Sequence, residues 1–306
     1  MKKIWSVLFW VVLSIFWFLT LKKNMGGIES AIREISFSGV LATTVFLILP
    51  YFLSVHCWNK QLGMLGIDLK WIDAWKLWII SNSTKYLPGM IWQPLSRVEF
   101  GRKHGVRRLT MLISWGFEIY FIISTGLLWV AVAGVSLGES VFFRFSSAII
   151  GVCMILAPFV LKKVFPFFWS FIEKMKSRGA RERISHVRDL ISKWSVKSII
   201  SITVWYLFFW WVYGLWMNGV MSLFPQPGSF LLGVSLWPLA WISGFIVLFV
   251  PGGIGVREGV LTAALIGLGW PAAAAISLAW LTRVQHIVID GLLAITTCIL
   301  TRSRAE

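Results

Sequence analysis

Residues 251–259 read Pro-Gly-Gly-Ile-Gly-Val-Arg-Glu-Gly, and the fold turns on where this stretch sits. No Asp, Glu, Lys or Arg occurs from Ser198 to Val256, and none from Gly259 to Thr282. Arg257 and Glu258 are therefore the only formal charges in a long apolar region, beside a helix-breaking proline and closely spaced glycines. In lipid, a broken backbone is tolerated only where protein or a water-filled cavity satisfies the freed groups. Charges at that depth are rare and usually functional. The rival reading is a junction at the membrane surface, where a turn and a charge pair cost little.

Composition sets the class. Of 306 residues 58% are hydrophobic, with 20 Trp and 23 Phe, and mean hydropathy is +0.78. A soluble chain of this size could not hide so much apolar surface, so the expectation is an all-α integral membrane protein, a polytopic bundle of about seven to eight membrane helices with two Pro-Gly-broken or re-entrant segments. The net charge of +16 reads as basic loops facing anionic lipid and not as nucleic-acid binding. Cys57, Cys153 and Cys298 are scattered and form neither a disulfide framework nor a metal site, and no cofactor motif appears. The abundant Trp and Phe are expected mostly in lipid-facing or interfacial belts.

Outward from the central stretch, residues 229–250 run into the break, 256–269 read as a short half-helix, and 272–300 as the last helix, with Arg283, His286 and Asp290 on one face at i, i+3, i+7. Residues 4–21, flanked by lysine pairs, are expected as a retained first helix and not a signal peptide. Spans follow at 38–58, 110–135 (with Glu118), 141–161 and 199–221, and 59–70 reads as a polar loop. Residues 71–87 are too polar for a lipid-facing span and stop at Leu87-Pro88-Gly89, which fits a re-entrant segment. The Asn82-Ser83-Thr84 sequon there reads as chance. Residues 97–108 and 162–197 carry clustered Lys and Arg and should lie inside, and the uncharged 222–229 loop outside. In 162–197, Ile184, Val187, Ile191 and Trp194 repeat at helical spacing. This predicts a basic amphipathic helix on the anionic inner leaflet, an insertion within a single transmembrane domain of residues 1–306.

The two Pro-Gly elements echo each other. Leu87-Pro88-Gly89 precedes Arg97 and Glu99; Val250-Pro251-Gly252 precedes Arg257 and Glu258. Interrupted segments in corresponding places point to a transporter's site. A helix restarting after such a break aims free N–H groups at the gap, and Arg97 or Arg257 would add a donor fork suited to phosphate. Lys85, one turn before the first break, could reach the same cavity. Glu118 needs a cationic partner, for which Arg257 and Arg283 are candidates. Arg283, His286 and Asp290 read either as a proton or head-group relay or as structural ion pairs.

The stretch Pro251-Gly252-Gly253-Ile254-Gly255-Val256-Arg257-Glu258, with Tyr86-Leu87-Pro88-Gly89 and the span pattern, resembles the lysylphosphatidylglycerol synthase transmembrane region family. That family includes the flippase part of bacterial multiple peptide resistance factors and stand-alone small membrane proteins, some tied to lipid-linked glycan pathways. The resemblance implies lipid translocation in a bacterial cytoplasmic (inner) membrane, with Pro251, Gly252, Gly253, Gly255, Arg257 and Glu258 matching the family motif. These 306 residues hold no soluble aminoacyl-transferase domain, so synthesis of aminoacyl lipid is not expected.

The leading expectation is a non-enzymatic transporter moving a polar-headed lipid, an aminoacyl-phospholipid or a polyprenyl-phosphate-linked glycan precursor, between leaflets. The alternatives are a membrane-embedded transferase, for which no carboxylate pair, DxD element or Walker loop appears, and an accessory partner of envelope biosynthesis enzymes. Candidate site residues are Lys85, Pro88, Gly89, Arg97, Glu118, Pro251, Gly252, Gly253, Gly255, Arg257, Glu258, Arg283, His286 and Asp290.

Overall fold

The structure, a computed structural model, describes residues 2–87, 91–133, 141–172, 178–226, 228–247 and 250–302. Its helices are α1 (Lys2–Glu34), α2 (Phe37–Phe46), α3 (Ile48–Met64), α4 (Trp71–Ser83), α5 (Trp92–Lys103), α6 (Arg108–Ala133), α7 (Val141–Ile172), α8 (Arg178–Ser192), α9 (Val196–Met221), α10 (Phe230–Ile246), α11 (Val256–Gly267) and α12 (Ala272–Arg302). Short 3₁₀ turns at Thr84–Tyr86 and Pro251–Gly253 follow α4 and precede α11. Among the described residues, Phe37–Met64, Arg108–Val132, Val196–Met221 and Ala272–Leu300 are long and apolar enough to cross a bilayer, and Phe145–Val160 and Phe230–Ile246 are shorter apolar helices. The protein is an all-α membrane bundle.

Several starts follow from local chemistry. Ser36, Ser195 and Ser229 cap α2, α9 and α10 by accepting the N–H of Gly39, Ser198 and Leu232 at 3.3, 2.9 and 3.2 Å. Such caps are worth roughly 1 kcal/mol each. The small residues of α9 and α10 let the helices touch: a Cβ on Gly233 would fall 2.5 Å from the Gly214 carbonyl oxygen.

The chain's two broken elements are helical hairpins. In the first, Arg97, midway along α5, reaches back to donate to Ser81, late in α4, at 3.1 Å. In the second, Arg257, early in α11, packs its side chain against Gly244, late in α10. Chain direction sets their sides. The Phe37–Met64 span delivers α4–α5 to one side of the bundle, and α9 delivers α10–α11 to the other. The hairpins meet tip to tip: a methyl on Gly252 would come within 3.2 Å of Arg283 Nη2 and 3.7 Å of the Tyr86 ring. Both tips rest on α12. At 1.5 Å per residue, Arg283 lies about 16 Å from the start of α12 and Asp290 about 18 Å from its end, so the meeting point is mid-bundle.

Several sequence expectations need correction. The helix entered at Phe37 bends at Leu47 and runs to Met64, so half of the expected 59–70 loop is helical. It stays helical because Gln61, fully buried, donates to the Ser114 carbonyl at 2.5 Å. The expected 97–108 loop is largely α5, and α1 continues past Lys22-Lys23 to Glu34. Many Trp belong to the core and not to a lipid belt: Trp58, Trp210 and Trp216 are among the largest fully buried side chains. The amphipathic insertion turns apolar residues into the protein. Leu190 and Trp194 are buried, and Trp194 packs edge-on against Phe117 at 4.9 Å. Residues 173–177 of that insertion lie outside the described residues.

A charged cavity between two hairpin tips

The second break interrupts the helical pairing of the backbone, and several of its groups find side-chain partners. Gly252, Gly253 and Gly255 hold φ of 59, 67 and 82°, a region costly for residues with a Cβ. Arg283 Nη1 donates to the Gly252 carbonyl at 2.9 Å. Trp17 Nε1, from α1, donates to the Gly255 carbonyl at 3.2 Å. The Gly255 N–H donates to the Glu258 carboxylate at 2.5 Å. The glutamate thus caps its own helix, occupying a position where the sequence reading placed free N–H groups for a ligand. Glu258 faces Arg283, with Oε1 3.6 Å from Nε. Its sequence neighbour Arg257 points elsewhere.

The first hairpin is tied by Asp290. This buried carboxylate accepts from Tyr51 at 2.7 Å, Asn82 at 2.8 Å and Tyr86 at 2.5 Å, and pairs with Lys85 Nζ at 2.8 Å. Three elements are thereby fixed to α12. Lys85 also lies 5.3 Å over the Tyr86 ring. Asn82, discounted as a chance sequon, is part of this cluster.

A third pair corrects two expectations. Arg97 is fully buried, bonds Glu118, and sits 4.7 Å over the Trp58 ring. Glu118 also accepts from Trp78 Nε1 at 2.7 Å. The partner of Glu118 is therefore Arg97 and neither Arg257 nor Arg283, and Arg97 is committed to Glu118 instead of offering its fork to a phosphate. The physical reason is depth: Arg97 and Gly101 are the buried positions of α5, so this arginine needs a carboxylate.

Between the tips lies a cavity of about 100 Å³, lined among others by Tyr51, Lys85, Glu118, Tyr213, Trp241, Gly252, Gly253, Arg257 and His286. Arg257 forms no ion pair among the described residues, its guanidinium lies 5.4 Å over Trp241, and its Nε has no hydrogen-bond partner. His286 stands among Trp216, Trp237 and Tyr213, with ring centroids at 4.9, 4.7 and 6.1 Å. Its Nδ1 donates to the Thr282 carbonyl at 2.8 Å, which leaves Nε2 an acceptor without a partner.

Of the sequence candidates, Lys85, Glu118, Gly252, Gly253, Arg257 and His286 line this cavity. Gly255, Glu258, Arg283 and Asp290 form its supports, and Pro251 opens the 3₁₀ turn. Arg97 stands behind Glu118. Pro88 and Gly89 lie outside the described residues. Sequence reasoning missed Tyr51, Tyr86, Tyr213 and Trp241. A signal existed for the tyrosines: the chain has 5 Tyr against 23 Phe, so a hydroxyl in an apolar segment marks a polar partner. Among the described residues no group of three or more His, Cys, Asp or Glu could hold a metal ion.

The model of the lysylphosphatidylglycerol synthase TM region family matches residues 4–294. The chain belongs to that family. A comparison with curated proteins gives no match. Membership makes it a multi-pass membrane protein linked to lipid or envelope biosynthesis.

Proposed function

We propose that the cavity takes the anionic head group of a membrane lipid and passes it between leaflets while the tails stay in the bilayer. On this reading the protein is a flippase-like transporter, without covalent chemistry, of a bacterial cytoplasmic membrane. The observation that carries it is Arg257. Around the cavity, Arg97, Arg283 and Lys85 each face a carboxylate, Glu118, Glu258 and Asp290 respectively. Arg257 is the cation left over, and desolvating an unpaired charge costs several kcal/mol. A planar fork over an indole, beside glycine backbone, suits a phosphate oxygen pair. One surplus cation matches one negative charge, which favours a phosphodiester over a pyrophosphate.

The cavity as it stands has room for a phosphate or a few waters, not a whole head group. Translocation therefore requires the hairpin tips to part, and the tips are joined by side chains, not by continuous helix. The test is translocation of a fluorescent anionic phospholipid in vesicles containing the purified protein. Arg257→Gln and Arg257→Lys are both expected to lose most of the rate while remaining folded. Near-normal rates in both variants would overturn the reading.

A further inference from the structure

A second cleft, of about 280 Å³, shares no lining residue with the cavity. It lies where α3 ends and α9 begins, and Lys60, Lys197, Ser198, Ser201 and Ile202 line it. Neither lysine forms an ion pair among the described residues. Both lysines are exposed and bring like charge to the lining of one cleft, which an anion there would offset. Lys60 Nζ lies 5.9 Å over the Trp205 ring. That indole in turn packs on His56, one turn earlier in α3, at 4.3 Å. Lys193 adds charge at the same end of the bundle: a methyl on Gly66, just past α3, would meet its Nζ at 2.7 Å.

Further along α9 the surface turns apolar. Ile200, Val204 and Phe208 are exposed. Cationic groups at the ends of two membrane helices, above exposed hydrocarbon, match a phospholipid whose phosphate sits over its acyl chains. We infer that this cleft binds the phosphate of an anionic membrane phospholipid at the edge of the bundle. The site stands whether or not the central cavity moves lipid.

The full chain in detergent is incubated with phosphatidylglycerol or phosphatidylcholine of equal chain length, and retained lipid is counted by native mass spectrometry. Phosphatidylglycerol should be retained preferentially. The double variant Lys60→Gln, Lys197→Gln should lower its retention about tenfold or more, since each surface lysine removes a contact with anionic lipid. Lys60→Arg, Lys197→Arg should keep it. Equal retention of the two lipids by the unaltered protein, or unchanged phosphatidylglycerol retention in the glutamine variant, would overturn the site. Displacement of the lipid by inorganic phosphate alone would overturn the lipid assignment in favour of a small-anion site. The lysine-dependent difference should persist in an Arg257→Gln background. Its disappearance there would assign the lipid to the central cavity and end the proposal.

Discussion

Arg257, half-buried, and Arg97, fully buried, both stand near one cavity, yet their substitutions should behave differently. Arg97 balances Glu118, and removing it leaves a buried carboxylate with Trp78 Nε1 as its remaining donor among the described residues and also strips Ser81 and Trp58 of their cation. Breaking a buried pair from one side costs about 3–5 kcal/mol. Arg97→Gln should therefore lower thermal stability in detergent sharply, and Glu118→Gln combined with it should restore much of the loss. Arg257 balances no carboxylate in the same way, so Arg257→Gln should leave the melting temperature near that of the parent while translocation falls. A melt and a transport assay on the same preparations separate the two roles, and equal destabilisation by both single variants would refute the distinction. The isolation of Arg257 was legible because charge is scarce along that part of the chain. The identity of each partner was not: Tyr51 and Asp290 are bonded across 239 residues, and no local pattern encodes that meeting. Arg97 was misread because a cluster of Lys and Arg looks like a loop. Five residues later in the chain, Arg102 is indeed exposed and paired with Glu99 at 2.7 Å.

Among the elements, the second break depends on its glycines. Gly253 has φ of 67°, and a Cβ there would also stand 3.0 Å from the Gly244 Cα. Gly253→Ala combines a left-handed penalty of roughly 1–2 kcal/mol with a backbone clash that no side-chain movement relieves. It should destabilise the α10–α11 hairpin and abolish transport, whereas Gly267→Ala, with open space around it, should do neither; hydrogen exchange over 244–258 reads the difference. The amphipathic helix was legible as a helix, but its docking was not. His186 on α8 donates from Nε2 to Thr110 at 2.7 Å and accepts from Arg107 at Nδ1. Burial, then the Arg107 charge, hold this imidazole below its ordinary value of 6.5. The folded form thus prefers the neutral ring. Its docking is intact above that value and weakens as the pH falls through it, because the undocked helix then binds a proton more readily. Protease nicking near residue 178 should rise on acidification, and His186→Gln, which cannot gain charge, should flatten that dependence. An unchanged acid response in His186→Gln would remove His186 as the cause.

At the scale of the whole molecule, the division into helices and breaks was readable from hydropathy and Pro-Gly punctuation, while the tip-to-tip meeting was not. It follows from how the chain returns. A hairpin entered from one face and left by the same face does not change the side on which the next span begins. With α4–α5 folded back, the loop after Lys103 lies on the side where α3 ended. With α10–α11 folded back, the turn after Met221 and the start of α12 share the opposite side. If α4 and α5 instead formed a full crossing, Arg97 could not reach Ser81, and Asp290 could not hold Asn82 and Lys85 at the depth where Arg283 holds Gly252. The arrangement therefore makes a prediction about sides. In a background lacking Cys57, Cys153 and Cys298, Lys103→Cys and Ser222→Cys, both at exposed positions, should react with a membrane-impermeant thiol reagent from opposite faces. The basic 97–108 segment places Lys103 inside by the charge bias of membrane loops. Tyr86→Cys, at the hairpin tip, should resist the reagent from both faces until an anionic lipid is supplied and the tips part. Free labelling of Tyr86→Cys from one face without lipid would mean that the hairpin tip lies at a membrane surface, and that the cavity is an open vestibule and not a closed mid-membrane site.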